Sequence, residues 1–435
     1  MKYILKNGLI VDPKTKTHEK RNLLIAEGKV YRTAHENLSD HIVIDCTDKI
    51  ISPGFIDLHT HLRDPGFEYK EDIVSGTKSA LAGGFTTILS MPNTIPVTDN
   101  VATIRYIVEK ARDEGYVRIH PVGALSIGSQ GTELVDFLAL RKEGAIAFSD
   151  DGRWLADSRL MIDALTKSKE QRFRVIQHCE DPGVSWKGVI NSGSASQRLG
   201  LKGIPTAAEH LAVYRDIILC EMTGGNIHIA HISTAESVRI IENAKNRGVQ
   251  VTCEVTPHHL VLCDEDIKED NAVYKVNPPL ASSGDREALV DALKRGVIDT
   301  IATDHAPHAQ YEKETGFAKA PFGLIGMETA FPVLYTKLVE TNIIPLDLLI
   351  EKMTAAPADI FDIPARGSLS DGCDADIAII DLKQTYRIDR ENFYSKSQNT
   401  PFHDWEVRGR ITTVFVGGVL RFHNNTLFED KVGLL

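Results

Sequence analysis

The sequence is poor in cysteine and contains no long apolar run. Its six cysteines are scattered over 435 residues and form no CxxC pair, which argues against a disulfide framework and a cysteine-ligated zinc site. No stretch approaches the roughly eighteen apolar residues of a membrane helix. The first apolar run is broken by Lys6, Asn7 and Gly8, unlike a signal peptide. These absences predict a reduced cytoplasmic environment and no membrane partner.

Positively charged residues are fewer than negatively charged ones. Lysine and arginine number 49 against 60 aspartates and glutamates, so the formal net charge is -11. Such a surface repels the phosphates of nucleic acids, which are therefore not expected as partners. Hydrophobic residues make up 42% and charged residues 25%, as in ordinary globular proteins. The length suits one large domain with a smaller one beside it.

The pattern of apolar residues changes twice along the chain. Residues 1–52 show short apolar runs separated by turn signals, and β character returns in residues 366–435. Between them, in residues 53–365, short apolar runs alternate with longer segments of helical period. The eight strand candidates are Phe55–His61, Thr86–Met91, Ile119–Leu125, Ala145–Ser149, Arg174–His178, Asn226–His231, Gln250–Val255 and Thr300–Asp304.

Eight successive βα units favour an α/β fold with a closed, TIM-like (β/α)₈ barrel. An open, doubly wound sheet would show the same alternation, so the count alone leaves this alternative open. The simplest assembly pairs the two β-rich chain ends as a small β-sandwich. The predicted domains are then 1–52 and 366–435, which share the small domain, and 53–365, which forms the barrel.

Histidines and aspartates stand where the predicted strands end, which is where parallel barrels place their active sites. His59 and His61 share one face of the first strand, because residues i and i+2 point the same way. Four imidazoles and at least two carboxylates suit a pair of Zn²⁺ ions. The candidate ligands are His59, His61, Asp150 or Asp151, His178, His231 and Asp304.

Other polar residues near these strand ends have simpler interpretations. His228 has the opposite strand parity from His231, which indicates packing. His258 and His259 end the seventh strand, where a structural or supporting role is favoured over a place in the pocket. A solvated or structural carboxylate is the preferred interpretation of Glu180.

Several segments together resemble the dihydroorotases, in their long bacterial form within the amidohydrolase superfamily. Asp57–Gly66, which reads DLHTHLRDPG, is similar to the first signature of that family, although Thr60 replaces a more usual aliphatic residue. Ala302–His308, which reads ATDHAPH and is followed by Lys313, is similar to the second signature. Met91–Thr94 and Asn277–Pro279 also resemble family segments.

The resemblance implies two zinc ions per chain. His59, His61 and Asp304 would bind one ion, and His178 and His231 would bind the other. Asp151 and a hydroxide would bridge them, where many relatives use a carboxylated lysine; only the resemblance favours Asp151 over Asp150. Asp304 would also be the catalytic acid and base, and its alternative is a metal ligand alone.

The resemblance implies a second set of residues that bind the substrate. Arg63 would bind a substrate carboxylate through both guanidinium nitrogens, with a surface ion pair as its alternative. For Asn93 and Asn277 the alternative is turn chemistry. The segment from Ala309 to Ala320 has few apolar anchors, and we expect a mobile lid there. The full implied substrate-binding set is His61, Arg63, Asn93, Asn277, His308, Phe322 and Gly323.

The activity implied by the resemblance is the reversible hydrolysis of (S)-dihydroorotate to N-carbamoyl-L-aspartate, a step of pyrimidine (UMP) biosynthesis. The nearer alternative is an allantoinase or hydantoinase, which usually carries an acidic residue at the position of Arg63 and a lysine on the fourth strand. The farther one is an inactive structural relative, which would typically have lost ligands. A homodimer and association with aspartate transcarbamoylase occur among relatives, but neither follows from these residues.

Overall fold

Seven short strands form the first part of the chain and follow its turn signals. The computed structural model describes residues 1–33 and 41–429. The turn between the first two strands contains Asn7, whose φ of 64° is left-handed, a conformation that asparagine tolerates. The strands are β1 (Tyr3–Lys6), β2 (Leu9–Asp12), β3 (Thr17–Lys20), β4 (Asn22–Ala26), β5 (Lys29–Thr33), β6 (Ile42–Asp45) and β7 (Ile50–Pro53).

The central part of the chain alternates strands and helices as predicted. Its first half contains β8 (Phe55–Thr60), α1 (Ile73–Ala82), β9 (Phe85–Ser90), α2 (Val101–Glu114), β10 (Arg118–Gly123), α3 (Phe137–Lys142), β11 (Ala147–Phe148), α4 (Ser158–Gln171), β12 (Arg174–Gln177), α5 (Pro182–Ser185), β13 (Ile190–Asn191), α6 (Ser194–Leu199), β14 (Gly203–Ile204) and α7 (Ala207–Thr223). Its second half contains β15 (Ile227–Ile229), α8 (Ala235–Asn246), β16 (Val251–Val255), α9 (Pro257–Val261), α10 (Ser283–Arg295), β17 (Thr300–Ile301), α11 (Gln310–Lys313), α12 (Ala330–Leu334), α13 (Leu346–Met353) and α14 (Ala355–Ile360).

Eight strands of this central part form one parallel sheet, which closes on itself as a barrel. Their order is β17-β16-β15-β12-β11-β10-β9-β8. The two ends of this sheet meet where Thr60 bridges His305 in parallel and the amide of His61 donates to the carbonyl of His305 at 2.9 Å. The predicted barrel is therefore confirmed, and the open-sheet alternative is wrong.

Local chemistry explains where the barrel helices begin and which face they bury. At the start of α2, the side chain of Asn100 accepts from the amide of Thr103 at 3.0 Å, a typical N-cap. Ile104, Ile107 and Ala111 then follow at helical spacing and are buried. Within residues 1–33 and 41–429, no helix has the length and apolar content needed to cross a membrane.

The two ends of the chain share a β-sheet beside the barrel. The last strands are β18 (Ile377–Asp381), β19 (Tyr386–Arg387), β20 (Glu406–Val407), β21 (Arg410–Val416), β22 (Val419–His423) and β23 (Thr426–Leu427). Antiparallel pairing of β18 with β7 joins them to the N-terminal strands in a seven-stranded sheet. A four-stranded sheet packs against this seven-stranded sheet. Between the two sheets, the aromatic rings of Tyr3 and Phe415 meet edge to face, with their centroids 5.0 Å apart. The domain limits 1–52, 53–365 and 366–435 stay a prediction.

Candidate active site

The end of β8 places two histidines on the same face, inside the mouth of the barrel. The ring centroids of His59 and His61 lie 5.3 Å apart, and both residues are buried. Oδ1 of Asp304, which follows β17, lies 2.9 Å from Nε2 of His61 and 3.6 Å from Nε2 of His59. The first and last strands of the barrel thus bring these three side chains together.

Asp151, and not its neighbour Asp150, completes this group. The carboxylate of Asp151 lies 3.2 Å from Nε2 of His59 and 3.5 Å from Nε2 of His61. Asp150 instead accepts from the amides of Leu125 and Ser126 at 2.9 and 3.0 Å. Asp150 therefore holds the loop after β10, and the choice between the two aspartates that the residue pattern left open is made by the direction of their side chains.

The fifth and sixth strands of the barrel bring a second cluster to the other side of Asp151. Nδ1 of His178 lies 3.1 Å from Nε2 of His231, and Nε2 of His231 lies 3.8 Å from Asp151. Asp151 thus belongs to two groups of potential metal ligands, one with His59 and His61 and one with His178 and His231. This is the arrangement expected of a carboxylate placed between two cations.

Unsatisfied polar atoms at the centre of the cluster show that the residues fit a metal. Nε2 of His59 and Oδ1 of Asp151 are buried, and neither has a hydrogen bond in the part of the chain that the structure describes. A buried polar atom without a partner is unfavourable, and imidazole nitrogen with carboxylate oxygen is a donor set that suits zinc. A cation between these atoms would satisfy both.

The electrostatics of Asp304 favour its charged form. Burial alone would raise the pKa of this carboxyl, but the hydrogen bond with His61 and the positive charge of His59 outweigh burial and lower it. Ionised Asp304 can accept a proton, which a neutral carboxyl cannot.

A cavity of about 200 Å³ opens beside these groups. Every residue of the substrate-binding set implied by the resemblance contributes to its wall, together with most of the candidate metal ligands. The lining residues are His61, Arg63, Asn93, Asp151, Gly152, His178, His231, Asn277, Asp304, Ala306, His308, Phe322 and Gly323.

Arg63 and His308 form one wall of this cavity. Nε of Arg63 donates to the carbonyl of Pro307 at 3.2 Å, and its Nη2 lies 3.4 Å from Nε2 of His308. Nε2 of His308 lies 2.7 Å from the carbonyl oxygen of Phe322. Burial, together with the positive charge of Arg63 nearby, lowers the pKa of His308 and keeps it neutral. Arg63 forms no ion pair with any residue in 1–33 or 41–429.

The two asparagines of the cavity also contact candidate metal ligands. Oδ1 of Asn93 accepts from Nδ1 of His61 at 2.8 Å. Nδ2 of Asn277 lies 2.5 Å from Glu180 and 3.1 Å from Nε2 of His178. Oδ1 of Asn277 is buried and has no hydrogen bond within the described residues, so it is available to a ligand. Both asparagines therefore contact the site in addition to any role in a turn. Glu180 contacts Asn277 and is not simply a solvated carboxylate.

Backbone atoms at Phe322 and Gly323 are unequally available. The amide of Gly323 already donates to the carbonyl of Lys275 at 2.8 Å, which leaves Phe322 as the better donor to a ligand. Gly323 has a φ of +126°, and a Cβ there would lie 2.6 Å from the side chain of Ala306. Only glycine fits this position.

Comparison with known proteins shows which family this chain resembles. A family model described as Dihydro-orotase-like matches residues 48–237. A dihydroorotase of Geobacillus sp. (strain WCH70) is 47% identical over 423 residues, which cover 97% of this chain and 98% of that protein. The dihydroorotase of Acetivibrio thermocellus is 47% identical over 430 residues, with 99% of both chains covered. The chain belongs to the dihydroorotase family.

Membership of the dihydroorotase family confirms the resemblance and makes the chain an enzyme, a cyclic amide hydrolase. Among solved structures, the L-hydantoinase (dihydropyrimidinase) from Arthrobacter aurescens superposes with a TM-score of 0.89. That match covers 98% of this chain and 97% of the other at 24% sequence identity. It shows a shared fold and agrees with the barrel described above.

This dihydroorotase-family site also contains residues that the sequence interpretation missed or undervalued. Glu254 of β16 is buried and lies 2.7 Å from Nδ1 of His59. His228 lies 3.1 Å from the same carboxylate, so it supports the site rather than only packing. His259 lies 3.0 Å from the carbonyl of Pro278, beside Asn277. A charged residue inside an apolar strand is the signal that could have identified Glu254, because burying it without a partner is unfavourable.

The segment from Ala309 to Ala320 is better anchored than expected. Lys313 is buried, and its Nζ donates to the carbonyls of Pro321 and Gly323 at 2.9 and 2.8 Å. Phe317 is buried as well, and its amide donates to Asp270 at 2.5 Å. The expectation of few anchors is wrong, because the lysine acts as a fixed internal donor rather than as a solvated charge.

Three residues of the site have unusual backbone conformations. The φ angles of Arg63, His231 and Asp304 are 61°, 29° and 47°. Left-handed conformations of non-glycine residues are unfavourable and concentrate at functional sites. The local backbone therefore helps to direct these three side chains into the cavity.

Proposed function

We propose that this chain is a zinc-dependent dihydroorotase that interconverts (S)-dihydroorotate and N-carbamoyl-L-aspartate in pyrimidine biosynthesis. One observation supports dihydroorotate, rather than a neutral cyclic amide, as the substrate. The guanidinium of Arg63 lines the cavity beside Asp304 and has no ion-pair partner among the described residues. An unpaired cation in a partly buried pocket favours an anionic ligand and disfavours a neutral one.

The metal roles that we propose follow the two clusters. His59, His61 and Asp304 would hold one zinc ion, His178 and His231 the other, and Asp151 would contact both. Zinc bound here would lower the pKa of a water molecule and polarise the amide carbonyl of the ring.

The proposed proton transfer depends on one carboxylate. Asp304 takes a proton from the attacking water and delivers it to the ring nitrogen as the C–N bond breaks, so the proton that it gains is the one that it gives. The same steps in reverse order close the ring. This role is supported by the position of Asp304 at the cavity wall, where its Oδ1 lies 2.9 Å from Nε2 of His61.

The remaining residues hold the ring in position. Arg63 binds the substrate carboxylate, with His308 beside it. Oδ1 of Asn277 accepts from a ring N–H, and the amide of Phe322 donates to a ring carbonyl. Asn93 and His61, which contact each other, border the reacting carbonyl. Gly323 contributes by allowing the backbone to approach the ligand.

Turnover of three cyclic amides, measured alongside zinc content, tests this proposal. We expect hydrolysis of dihydroorotate, little or none of allantoin and dihydrouracil, and up to two zinc ions per chain. Preference for either of the other rings would overturn the assignment of substrate. Full activity of metal-free protein would overturn the zinc mechanism.

The remaining proposals concern location, domains and partners. We propose a cytoplasmic enzyme, because the cysteines are free and five of the six are buried, as in a protein that needs no disulfides. We keep the domain limits 1–52, 53–365 and 366–435. The homodimer and the association with aspartate transcarbamoylase stay predictions.

A further inference from the structure

Asn399 is a buried residue of the C-terminal part of the chain that reaches the rim of the barrel. It lies in the loop between β19 and β20, and only 4% of its surface is exposed. Its Nδ2 donates to the carbonyls of Ala306 and Gly323, at 3.1 Å each. Its Oδ1 accepts from the amide of His308 at 3.2 Å. One side chain therefore joins two loops of the candidate site, the loop after β17 and the loop between α11 and α12.

These contacts depend on the side chain being asparagine. Its NH₂ group has two hydrogens, one for each of the two carbonyls, and its oxygen accepts from the amide of His308. An ionised aspartate would have the same shape but no donor, and serine is shorter and has a single donor. Neither residue could make all three hydrogen bonds at once.

The loop between α11 and α12 needs such contacts because its central residue is a glycine. Gly323 has a φ of +126°, a conformation that glycine permits but does not impose. Its amide donates to the carbonyl of Lys275. Its carbonyl accepts from two buried donors, Nδ2 of Asn399 at 3.1 Å and Nζ of Lys313 at 2.8 Å. Both sides of Gly323 are therefore held by other segments, which also fixes the neighbouring backbone of Phe322.

The part of the loop after β17 that carries Asp304 is held by other groups. The next residue, His305, donates through its amide to the hydroxyl of Thr303 at 3.1 Å. Nδ1 of His305 accepts from the amide of Gly326 at 3.2 Å. Asn399 contacts this loop only further along the chain. A change at Asn399 is therefore expected to move the substrate-binding part of the loop and to leave the catalytic carboxylate in place.

The segment that precedes Asn399 is itself attached to the barrel. The hydroxyl of Ser395 donates to the buried carboxylate of Glu71, in the loop after β8. The hydroxyl of Ser397 donates to the carbonyl of Lys70, in the same loop, at 2.8 Å. The backbone of Asn399 is therefore fixed, which is what a residue needs if it is to hold the groups of a binding site in place.

We propose that Asn399 is a positioning residue for substrate binding, which holds the loop of His308 and the loop of Phe322 at the separation that the ring requires. It acts through these neighbours, since Asn399 does not line the 200 Å³ cavity. The inference rests on the proposed function, because the roles of His308 and Phe322 are part of it. A residue that only stabilised the fold would change the free energy of unfolding and leave KM as it is.

Hydrogen–deuterium exchange of the full chain with its metal bound tests the contacts without a substrate. Asn399→Asp keeps the shape of the side chain but loses both donors, and we expect faster exchange in peptides that span residues 306–308 and 322–325. The matched control is Thr400→Val, because Thr400 is also buried and its hydroxyl accepts from the amide of Phe402 at 3.3 Å. This control should exchange like the wild type in both loops. Equal exchange in all three proteins would overturn the proposal.

Steady-state kinetics show whether the contacts serve substrate binding or only the fold. The substrate is whichever of dihydroorotate, allantoin and dihydrouracil the wild type hydrolyses best. We expect Asn399→Asp to raise KM by roughly ten- to a hundredfold, since a misplacement of about 1 Å can cost about 10²-fold. Its kcat should stay within about threefold of wild type at equal zinc content, because binding is lost and proton transfer is not. Thr400→Val should keep the wild-type KM.

The outcomes separate this inference from the proposed function. A wild type that prefers allantoin or dihydrouracil would contradict the proposed substrate and leave the test of Asn399 intact. An unchanged KM in folded Asn399→Asp would overturn the positioning role, even if exchange in the loops is faster. Asn399→Ser removes the donors to both carbonyls without adding a charge, and it replaces Asn399→Asp if that variant does not fold. Failure of both variants to fold would make Asn399 a structural residue and overturn the proposal as well.

Discussion

Nδ1 of His59 lies 2.7 Å from Oε1 of Glu254, and both side chains are fully buried. The other oxygen of Glu254 lies 3.1 Å from Nε2 of His228. Burial alone would raise the pKa of Glu254, but its interactions with His59 and His228 outweigh burial and lower it to about 2. An ionised Glu254 fixes the proton of His59 on Nδ1, so its Nε2 lone pair points toward Asp151.

The first prediction concerns zinc affinity in Glu254→Gln. The amide keeps the shape of the side chain but removes the charge that orients His59 and makes it a better ligand. Substitution of such a supporting partner typically weakens metal binding by about 10–100-fold. Titration against a chromophoric chelator should show that loss in a protein with normal circular dichroism.

His228→Gln is the companion variant, because it changes the far side of Glu254 without touching His59. We expect a smaller loss of zinc affinity than in Glu254→Gln. If Glu254→Gln binds zinc within twofold of wild type, the contact with His59 is structural only.

The second prediction is that Asp304→Asn folds and retains metal but loses most turnover. The amide oxygen can lie near the cation, but the group cannot take up the proton. General acid–base groups typically contribute about 10²–10⁴-fold to the rate. Steady-state turnover and zinc content measured on the same sample would show this, and a rate within threefold of wild type with metal retained would remove Asp304 from proton transfer.

The third prediction is that Lys313→Met loosens the segment from Ala309 to Ala320 and the backbone that it holds. Nζ of Lys313 donates to the carbonyls of Pro321 and Gly323, and leaving a buried acceptor without its donor costs about 1–3 kcal/mol. We expect a lower free energy of unfolding and a higher KM, because Phe322 lies between the two carbonyls.

Lys319→Met is the matched control for Lys313→Met, since Lys319 is exposed in the same segment. Limited proteolysis should cleave this segment faster in Lys313→Met than in the wild type, and at the wild-type rate in Lys319→Met. Equal cleavage of all three proteins would show that Lys313 does not anchor the segment.

Sequence patterns were sufficient where a side chain's direction follows from strand parity or from its place at the end of a strand. His59 and His61 share a face because they are two residues apart on β8, and the ends of parallel strands meet at one rim. The choice between Asp150 and Asp151 was different. It depends on which carboxylate the amides of Leu125 and Ser126 bind, a contact between distant segments that local pattern does not reveal.

Tertiary contacts also explain what the sequence interpretation missed. The roles of Glu254 and Lys313 follow only from their partners. A charge in an apolar strand marks the position of Glu254 as unusual, but the sequence does not say which group it pairs with. The left-handed backbone of Arg63 likewise has no sequence signal, because arginine has no preference for it. Such local conflicts with propensity are typical of functional sites.

The last prediction is that Arg63 determines the substrate class. Its guanidinium lines the cavity and forms no ion pair in the described chain, and dihydroorotate carries a carboxylate that neutral rings lack. A bidentate charged contact contributes roughly 1.5–3 kcal/mol, which is about ten- to a hundredfold in kcat/KM. Arg63→Ala should lose that much on dihydroorotate, and Arg63→Lys should recover little, because an ammonium cannot reproduce the planar fork.

The matched control is Arg153→Lys, an exposed arginine that follows Asp151 but does not line the cavity; it should keep wild-type kinetics. Zinc content must be equal in all variants, so that a change in kcat/KM reports substrate binding rather than metal loss. Dihydrouracil gives the second comparison, because removal of an unpaired cation should not reduce activity on a neutral ring. If Arg63→Ala and Arg63→Lys both keep wild-type kcat/KM on dihydroorotate, another residue binds the carboxylate, and a neutral cyclic amide becomes the better candidate substrate.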